Sequence, residues 1–238
     1  MIEIKDLTIS FDGISVLDKI NLTLQQHEIT TIVGQSGCGK SVLMKAIEGL
    51  IIPESGTILI DGIDMFSLKR KKLKKARRKI AMLFQGAALL DSLNAFQNIA
   101  LPLKEHTSLS EEEICQAVEE KLKLVGLIDV MEKMPSELSG GMKKRIALAR
   151  ATILKPDYII YDEPTTGLDP IIAQEIMDLI LKLHQESKIT SIIITHDLNC
   201  ISKVKSNIAM IHDKKIIFDG SYNDFMKAND KVIKEFVS

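Results

Sequence analysis

The feature that most constrains the fold is the segment "GQSGCGKS" at residues 34–41, which stands between two apolar segments. The run "EITTIV" precedes it, and "SVLMKAIEGL" follows it with apolar residues at helical spacing. This order predicts a strand, a loop and a helix. Glycines allow backbone conformations that other residues avoid, and the amide groups at a helix N-terminus attract anions. The segment therefore predicts a phosphate-binding loop in an α/β fold.

The spacing of the glycines, lysine and serine is that of a nucleotide-binding P-loop. Lys40 would place a cation on the β- and γ-phosphates, and Ser41 would offer a hydroxyl to Mg²⁺. An ordinary glycine turn is the alternative, but the flanking strand and helix favour the P-loop. The residues expected to contact the nucleotide here are Gly34, Gln35, Ser36, Gly37, Cys38, Gly39, Lys40, Ser41 and Val42.

A pair of carboxylates, Asp162 and Glu163, ends the apolar run "YIIYDEP". Asp162 is expected to coordinate Mg²⁺, and Glu163 to polarise the water that attacks the γ-phosphate. Neighbouring carboxylates repel each other, so a metal ion on one leaves the other available as a base. A solvated acidic strand end is the alternative interpretation. Together with the P-loop, the pair indicates nucleotide hydrolysis.

The rest of the chain reads as a mixed α/β domain. Alternating apolar residues around Asp12-Gly13 predict an antiparallel hairpin, and residues 94–154 have helical spacing, with a capping box at Ser110 and Glu113. The segment from "YIIYDEP" to "ITSIIITHD" predicts strand, helix and strand of a parallel sheet, with Asp169 and Pro170 at the start of the helix. "NIAMIHDKKIIFDG" predicts a closing hairpin, followed by one short polar helix.

Composition limits the classes of function. The 238 residues carry a formal net charge of −1, which does not point to nucleic acid. No apolar run approaches the roughly 18–20 residues needed to cross a bilayer, and the N-terminus lacks the pattern of a signal peptide. We therefore expect a cytoplasmic protein that reaches a membrane only through a partner. The three scattered cysteines are expected to be reduced thiols.

The segment "LSGGM" at residues 138–142 lies between these two motifs and resembles the signature sequence of ATP-binding cassette (ABC) ATPases. The resemblance covers the whole chain. It implies a single nucleotide-binding domain over residues 1–238, with a P-loop NTPase fold, a RecA-like core, an antiparallel β subdomain and a helical subdomain at about 86–156. It also implies that Ser139, Gly140 and Gly141 clamp ATP held by a second subunit. Two ATP molecules would then lie in a head-to-tail dimer and be hydrolysed with Mg²⁺.

Other positions match the same family. Phe11 stands where an aromatic side chain stacks on adenine, although it could equally be a core residue. Gln85 matches the glutamine that senses Mg²⁺, and His196 matches the histidine that contacts the γ-phosphate. Leu168 and Asp169 match a loop that crosses the dimer interface. The resemblance thus implies catalysis by Glu163, His196, Gln85 and Lys40, and Mg²⁺ binding by Ser41, Gln85 and Asp162.

Met142 stands where glutamine is usual in the family. With "MLFQGAALLDSLNAFQNIALPL", it makes the chain resemble the ATPase subunits of Mla/Mce-type lipid transport systems. This implies an integral-membrane permease and a lipid-binding Mce-domain protein as partners, phospholipid transport between inner and outer membranes, and a position on the cytoplasmic face of the inner membrane. Polar solute import, export, lipoprotein release and a regulatory role outside transport are the alternatives.

Two surface segments also carry expectations. Nine of the eleven residues from Lys69 to Lys79 are basic. They form either a solvated helix face or a contact with anionic lipid or acidic permease loops, whereas the absence of interleaved aromatic residues disfavours nucleic acid. Residues 86–103 are apolar, and the resemblance implies that part of them forms a groove for the permease. Packing within the helical subdomain is the alternative.

Overall fold

The structure is a computed structural model and describes residues 1–237. Two sheets organise these residues, and the sheet edges position the predicted motifs. The ten strands are β1 (Ile2–Phe11), β2 (Ile14–Leu24), β3 (Ile29–Val33), β4 (Ser55–Ile60), β5 (Ile63–Asp64), β6 (Ile80–Leu83), β7 (Tyr158–Asp162), β8 (Thr190–Ile194), β9 (Asn207–His212) and β10 (Lys215–Ser221).

Nine α-helices accompany the strands within the same residues. They are α1 (Lys40–Ile47), α2 (Arg70–Arg77), α3 (Ala95–His106), α4 (Glu111–Leu124), α5 (Gly140–Thr152), α6 (Pro170–Ser187), α7 (Leu198–Val204), α8 (Tyr222–Lys227) and α9 (Lys231–Val237).

The antiparallel sheet has the strand order β2-β1-β4-β5. Asp12 and Gly13 both have positive φ, which is the conformation of a tight hairpin turn, so the predicted β1–β2 hairpin is confirmed. Ile2, Ile4, Leu7 and Ile9 of β1 are buried in a core shared with α1, and a register shift between Ile4 and Leu7 interrupts the alternation. This sheet therefore covers one side of the domain.

The larger sheet has the order β10-β9-β3-β8-β7-β6, and all of its strands except β10 are parallel. Alternate residues of β7 point to opposite faces: Ile160 packs towards the antiparallel sheet, and Ile159 packs towards the helices α3–α6. Both faces are thus buried, as the continuous apolar runs predicted. The carboxyl ends of the parallel strands meet at one edge, which is where α/β sheets bind ligands.

Local signals set the helix boundaries. Ser110 and Glu113 form the predicted capping box of α4, and Asn94 and Gln97 form a second one at α3. Asp169 caps α6, with Pro170 in its first turn, as predicted. The helices α3–α5 lie within residues 95–152 and share their apolar core with β7 and α6.

The C-terminal prediction of one short helix is wrong, because the structure has two. Ala228 is extended and ends α8, and the Asp230 carboxylate then accepts hydrogen bonds from the amides of Val232 and Ile233 to start α9. Aromatic packing holds both helices in place: Phe225 of α8 contacts Phe218 of β10 and Phe236 of α9.

Candidate functional site

The glycine loop joins β3 to α1 at the ligand-binding edge of the parallel sheet. Gly34, Gly37 and Gly39 all have positive φ, and two of them have no room for a side chain. A Cβ on Gly34 would lie 2.4 Å from the carbonyl oxygen of Ile211, and one on Gly39 would lie 2.6 Å from Leu17. The backbone conformation and the space around it therefore both require glycine here.

Lys40 lies under this loop and holds it in a curved conformation. Its side chain is buried, and Nζ donates hydrogen bonds to the carbonyl oxygens of Gly34 (2.7 Å) and Gln35 (2.9 Å). Ser41 is exposed at the start of α1, and Val42 beside it is half-buried. Gln35, Ser36 and Gly37 are exposed as well. The loop thus presents its backbone to an incoming phosphate.

A cavity of about 400 Å³ lies beside the loop. It is lined by Ile14, Ser15, Val16, Gln35, Ser36, Gly37, Cys38, His212, Asp213 and Lys214. Phe11 does not line this cavity, but it is 45% exposed and pairs in β-sheet register with Ile14, which does. The sequence analysis missed His212 and Lys214, because His212 precedes and Lys214 belongs to a turn that is more than 170 positions from the loop. The only sequence signal at these two positions was the pattern that predicts a closing hairpin.

The two carboxylates lie at the end of β7. Burial, and then the nearby charge of Glu163, raise the pKa of Asp162 above its ordinary value, while Lys144 and Lys40 oppose the shift. Glu163 is buried and has a φ of 47°, which is unusual for a residue other than glycine. Backbone strain of this kind concentrates at functional sites.

Four neighbours hold Glu163 in this conformation. Nδ1 of His196, which follows β8, lies 2.6 Å from Oε1. The hydroxyls of Thr166 (3.1 Å) and Thr195 (3.4 Å) donate to Oε2, and the backbone N–H of Glu163 donates to the carbonyl oxygen of Ile194. His196 remains 58% exposed, so it can face Glu163 and a ligand together.

Gln85 is exposed just after β6, and its side chain makes no hydrogen bond or ion pair with any residue of the described range 1–237. The structure therefore places Gln85 at the ligand edge of the sheet without joining it to the carboxylates. Lys144, which the sequence analysis missed, connects the segment that carries Gln85 with the segment that carries Glu163. Its Nζ lies 3.4 Å from the carbonyl oxygens of both Phe84 and Glu163.

Lys144 belongs to α5 and is 4% exposed. Burial lowers its pKa to about 8, although the charges of Asp162 and Glu163 oppose the shift. The sequence could have indicated that Lys144 is buried through its position. Lys144 lies three and four residues before Ala147 and Leu148, on the apolar face of the helix. A lysine on such a face needs a buried partner, and a single sequence does not reveal which one.

The "LSGGM" segment begins α5. Ser139 is the N-cap, and its hydroxyl accepts a hydrogen bond from the Met142 amide. Gly140 is exposed, whereas Gly141 is buried against α6, where a Cβ would lie 2.6 Å from Ile172. The cavity beside the glycine loop contains none of these residues. Of the two glycine segments, only the first lines this cavity.

Asp169 and Leu168 lie close to this helix start. Oδ1 of Asp169 accepts hydrogen bonds from the amides of Ile171 (3.1 Å) and Ile172 (3.0 Å), so one carboxylate oxygen serves as the cap of α6. A Cβ on Gly140 would lie 3.4 Å from Leu168. The loop before α6 and the start of α5 therefore form one continuous surface.

A groove of about 580 Å³ lies between β6, α2 and α3, and part of its lining comes from the predicted segment 86–103, namely Ala88, Leu90, Leu101 and Pro102. Phe84 (43%) and Leu90 (45%) are exposed here. Glu48 and His106 also line it, and Glu48 Oε2 and His106 Nδ1 are buried without a hydrogen-bond partner among residues 1–237. Burial raises the pKa of Glu48 to about 7. Apolar walls and unpaired polar atoms suit a surface that a partner covers.

These features define a P-loop nucleoside triphosphatase: a parallel sheet with a glycine loop after β3, two carboxylates after β7 and a histidine after β8. A second glycine segment caps a separate helix. A family profile described as ABC transporter matches residues 17–166. The chain belongs to the ABC transporter family, and it is an ATPase.

Individual relatives agree with this family. The chain is 41% identical to the intermembrane phospholipid transport system ATP-binding protein MlaF of Haemophilus influenzae, over 100% of this chain and 90% of that protein. It is 39% identical to the "Probable ribonucleotide transport ATP-binding protein mkl" of Mycobacterium leprae, over 100% of this chain and 68% of that protein. A solved dimeric ATP-binding cassette in a post-hydrolysis state, bound to ADP and Pi, matches with a TM-score of 0.85 at 33% identity, covering 93% of this chain and 99% of that one.

Proposed function

We propose that this chain is the ATP-hydrolysing subunit of a transporter that moves phospholipids between the inner and outer membranes. The observation that carries the proposal is the 41% identity, over the whole chain, to a protein named for intermembrane phospholipid transport. In this proposal residues 1–238 act as one nucleotide-binding domain. The helices α3–α5 form its helical subdomain, and β1, β2, β4 and β5 form its antiparallel subdomain.

In the proposed reaction, Glu163 orients and deprotonates the water that attacks the γ-phosphoryl group. The hydroxyls of Thr166 and Thr195 hold one carboxylate oxygen, and His196 holds the other. His196 is exposed enough to turn towards the γ-phosphate. Lys40 exchanges its two carbonyl partners for the β- and γ-phosphates and neutralises charge there.

The residues present fit Mg²⁺. Ser41, Asp162 and Gln85 offer oxygen donors, which Mg²⁺ prefers, and Mg²⁺ usually takes only one or two protein carboxylates. The raised pKa of Asp162 reflects burial beside another carboxylate, and a cation would offset both effects. When bound, the ion would neutralise charge on the phosphates.

We infer that the chain works as a head-to-tail dimer. Ser139, Gly140 and Gly141 would close on ATP held by the glycine loop of the second copy, with Asp169 and Leu168 at the interface. The inference is supported by the dimeric state of the solved cassette, and by the cavity beside the glycine loop, which Ser139, Gly140 and Gly141 of the same chain do not line. Phe11, beside the loop cavity, would contact the adenine.

The proposed partners are an integral-membrane permease, which would dock in the groove at Phe84 and Leu90, and a lipid-binding Mce-domain protein in the same complex. No helix within residues 1–237 is long and apolar enough to span a bilayer. The permease would therefore hold the chain at the cytoplasmic face of the inner membrane.

Ribonucleotide transport is the second candidate function, because the mkl relative is 39% identical over the whole chain. The two candidates share the ATPase and differ in the cargo that the permease carries. The test is to purify the chain with its membrane partners and reconstitute the complex in vesicles. We expect ATP-dependent transfer of labelled phospholipid, abolished by Glu163→Gln. ATP-dependent ribonucleotide uptake without lipid transfer would overturn the phospholipid proposal.

A further inference from the structure

We propose that the exposed face of α2 is a docking surface for the anionic headgroups of a lipid leaflet. We call this surface the basic face and define it as the exposed basic residues of α2 and of its two flanking positions: Lys69, Arg70, Lys71, Lys72, Lys74, Lys75 and Arg78. It is distinct from the nucleotide site, because none of its residues lines the cavity beside the glycine loop.

The basic face is a concentration of unpaired charge. Nine of the eleven residues from Lys69 to Lys79 are basic, in a chain whose formal net charge is −1. Within residues 1–237, only Lys79 of this segment forms an ion pair, with Asp61 and Asp157. The seven residues of the basic face form no ion pair with an acidic residue in the described part of the chain. Repulsion among like charges spaced one helical turn apart destabilises an isolated helix, so an outside anion would relieve a real cost.

The opposite side of α2 is fixed to the domain. Leu73 and Ala76 pack against the apolar core below the antiparallel sheet. Arg77 Nε donates to the carbonyl oxygen of Glu48 (3.1 Å), and its Nη2 donates to that of Gly49. Leu73, Ala76 and Arg77 are three and four residues apart and therefore share one side of the helix. These contacts hold one side of α2 against the rest of the domain.

The other side of the helix carries a stripe of charge. Lys71, Lys74, Lys75 and Arg78 follow the spacing i, i+3, i+4 and i+7, and all four are exposed. This spacing places them on the side opposite Leu73 and Ala76. A fixed helix with one continuous cationic side presents its charges in a nearly planar array, which suits a planar anionic surface.

Residue chemistry favours a leaflet over a protein or a nucleic acid. Five of the seven residues of the basic face are lysines, which act as flexible point charges, whereas specific carboxylate and phosphate recognition favours the rigid fork of arginine. No aromatic residue lies within the segment to stack on bases. Clustered lysines without specific geometry are the pattern that anionic leaflets attract.

The position of α2 in the domain also suits contact with a lipid leaflet. This argument rests on the proposed function, because it uses the groove proposed for the permease. Lys74 and Arg78 also line the groove proposed for the permease. The basic face therefore continues the surface that would point towards the membrane. At the far edge of the large sheet lie β10 and the C-terminal helices, while α2 packs near β6 at the opposite edge.

The test is flotation of the purified full chain with vesicles. The variant Lys71→Glu/Lys72→Glu/Lys75→Glu reverses three charges and leaves the groove residues Lys74 and Arg78 intact. We expect the wild type to float with phosphatidylglycerol-containing vesicles and not with pure phosphatidylcholine, and to be released near 1 M salt, where the Debye length is about 3 Å. The variant should bind at least about 100-fold more weakly.

The matched control is Lys227→Glu/Lys231→Glu/Lys234→Glu, which reverses three charges on α8 and α9 at the far edge. It should float like the wild type, and both variants should keep wild-type melting temperatures. Equal loss of vesicle binding in the two variants would overturn the proposal. Failure of the wild type to bind anionic vesicles would also overturn it. Weaker binding of the first variant to detergent-solubilised permease, without a vesicle effect, would assign the basic face to an acidic protein partner instead. These assays use no nucleotide or cargo, so they are independent of the transport proposal.

Discussion

Glu163 shows how much a single residue depends on its neighbours. The motif "DEP" indicated a base beside a metal ligand, and the structure adds a left-handed backbone and hydroxyl donors from Thr166 and Thr195. The donors lie on different segments of the chain. The sequence could therefore indicate the role of Glu163, whereas its orientation depends on how β7 and β8 pair.

The first prediction concerns Glu163→Gln. The amide keeps the shape of the side chain but cannot accept a proton, so ATP turnover should fall by about 100-fold or more. Binding of ATP should persist, because the substitution leaves the glycine loop intact. Steady-state turnover and equilibrium binding of a fluorescent ATP analogue measure the two effects. Unchanged turnover would show that Glu163 is not the base.

The second prediction concerns Lys144, whose pKa in the folded state, about 8, lies below its ordinary value of 10.5. Between these values the unfolded chain binds more protons than the folded one, so this residue makes stability rise with pH. From pH 7.5 to 9.5, the wild type should gain about 2 kcal/mol of unfolding free energy relative to Lys144→Met.

Urea unfolding at the two pH values measures this difference. Lys143→Met, one position earlier on α5, is the matched control because it removes an equivalent charge that is less buried. The unfolding free energy of the wild type minus that of Lys144→Met should rise from pH 7.5 to 9.5. A difference that stays constant or falls would show that Lys144 is not held in a desolvating environment.

At the scale of elements, local chemistry was the best guide. The caps Ser110 and Asp169 and the Asp12-Gly13 turn were all predicted correctly, because each is decided by a few neighbouring residues. The C-terminal helix was predicted less well. Asp230 starts a second helix, and the packing of Phe225 between Phe218 and Phe236 fixes both, which involves residues distant in sequence.

The third prediction compares two helix caps. Ser110 caps α4 and Ser139 caps α5, each by accepting a hydrogen bond from a backbone amide. Ser110→Ala and Ser139→Ala should each lower the unfolding free energy by about 1 kcal/mol. Only Ser139→Ala should also reduce ATP turnover, because only this cap belongs to the proposed second clamp. Equal ATP turnover in the two variants would show that Ser139 is not part of the ATPase site.

At the scale of the whole molecule, the fourth prediction tests the dimer. The exposed residues Ser36 and Ser139 would be replaced by cysteine in separate chains that lack the three native cysteines. A bismaleimide should join the two chains only when ATP is present, because ATP lies between the two segments in the proposed dimer. Ser110→Cys in place of Ser139→Cys is the control. Crosslinks that never depend on ATP would contradict the arrangement.

The amino-acid sequence by itself determined the local chemistry of this protein. The glycine loop, the Asp162–Glu163 pair and the caps follow from neighbouring residues, because backbone conformation and capping act over a few positions. Only the tertiary structure decided which distant groups meet. It placed His196 on Glu163, and it turned Lys144 towards the carbonyl oxygens of Phe84 and Glu163. The physical reason is that strand order and helix packing arise from burial of the whole core, which no single segment encodes.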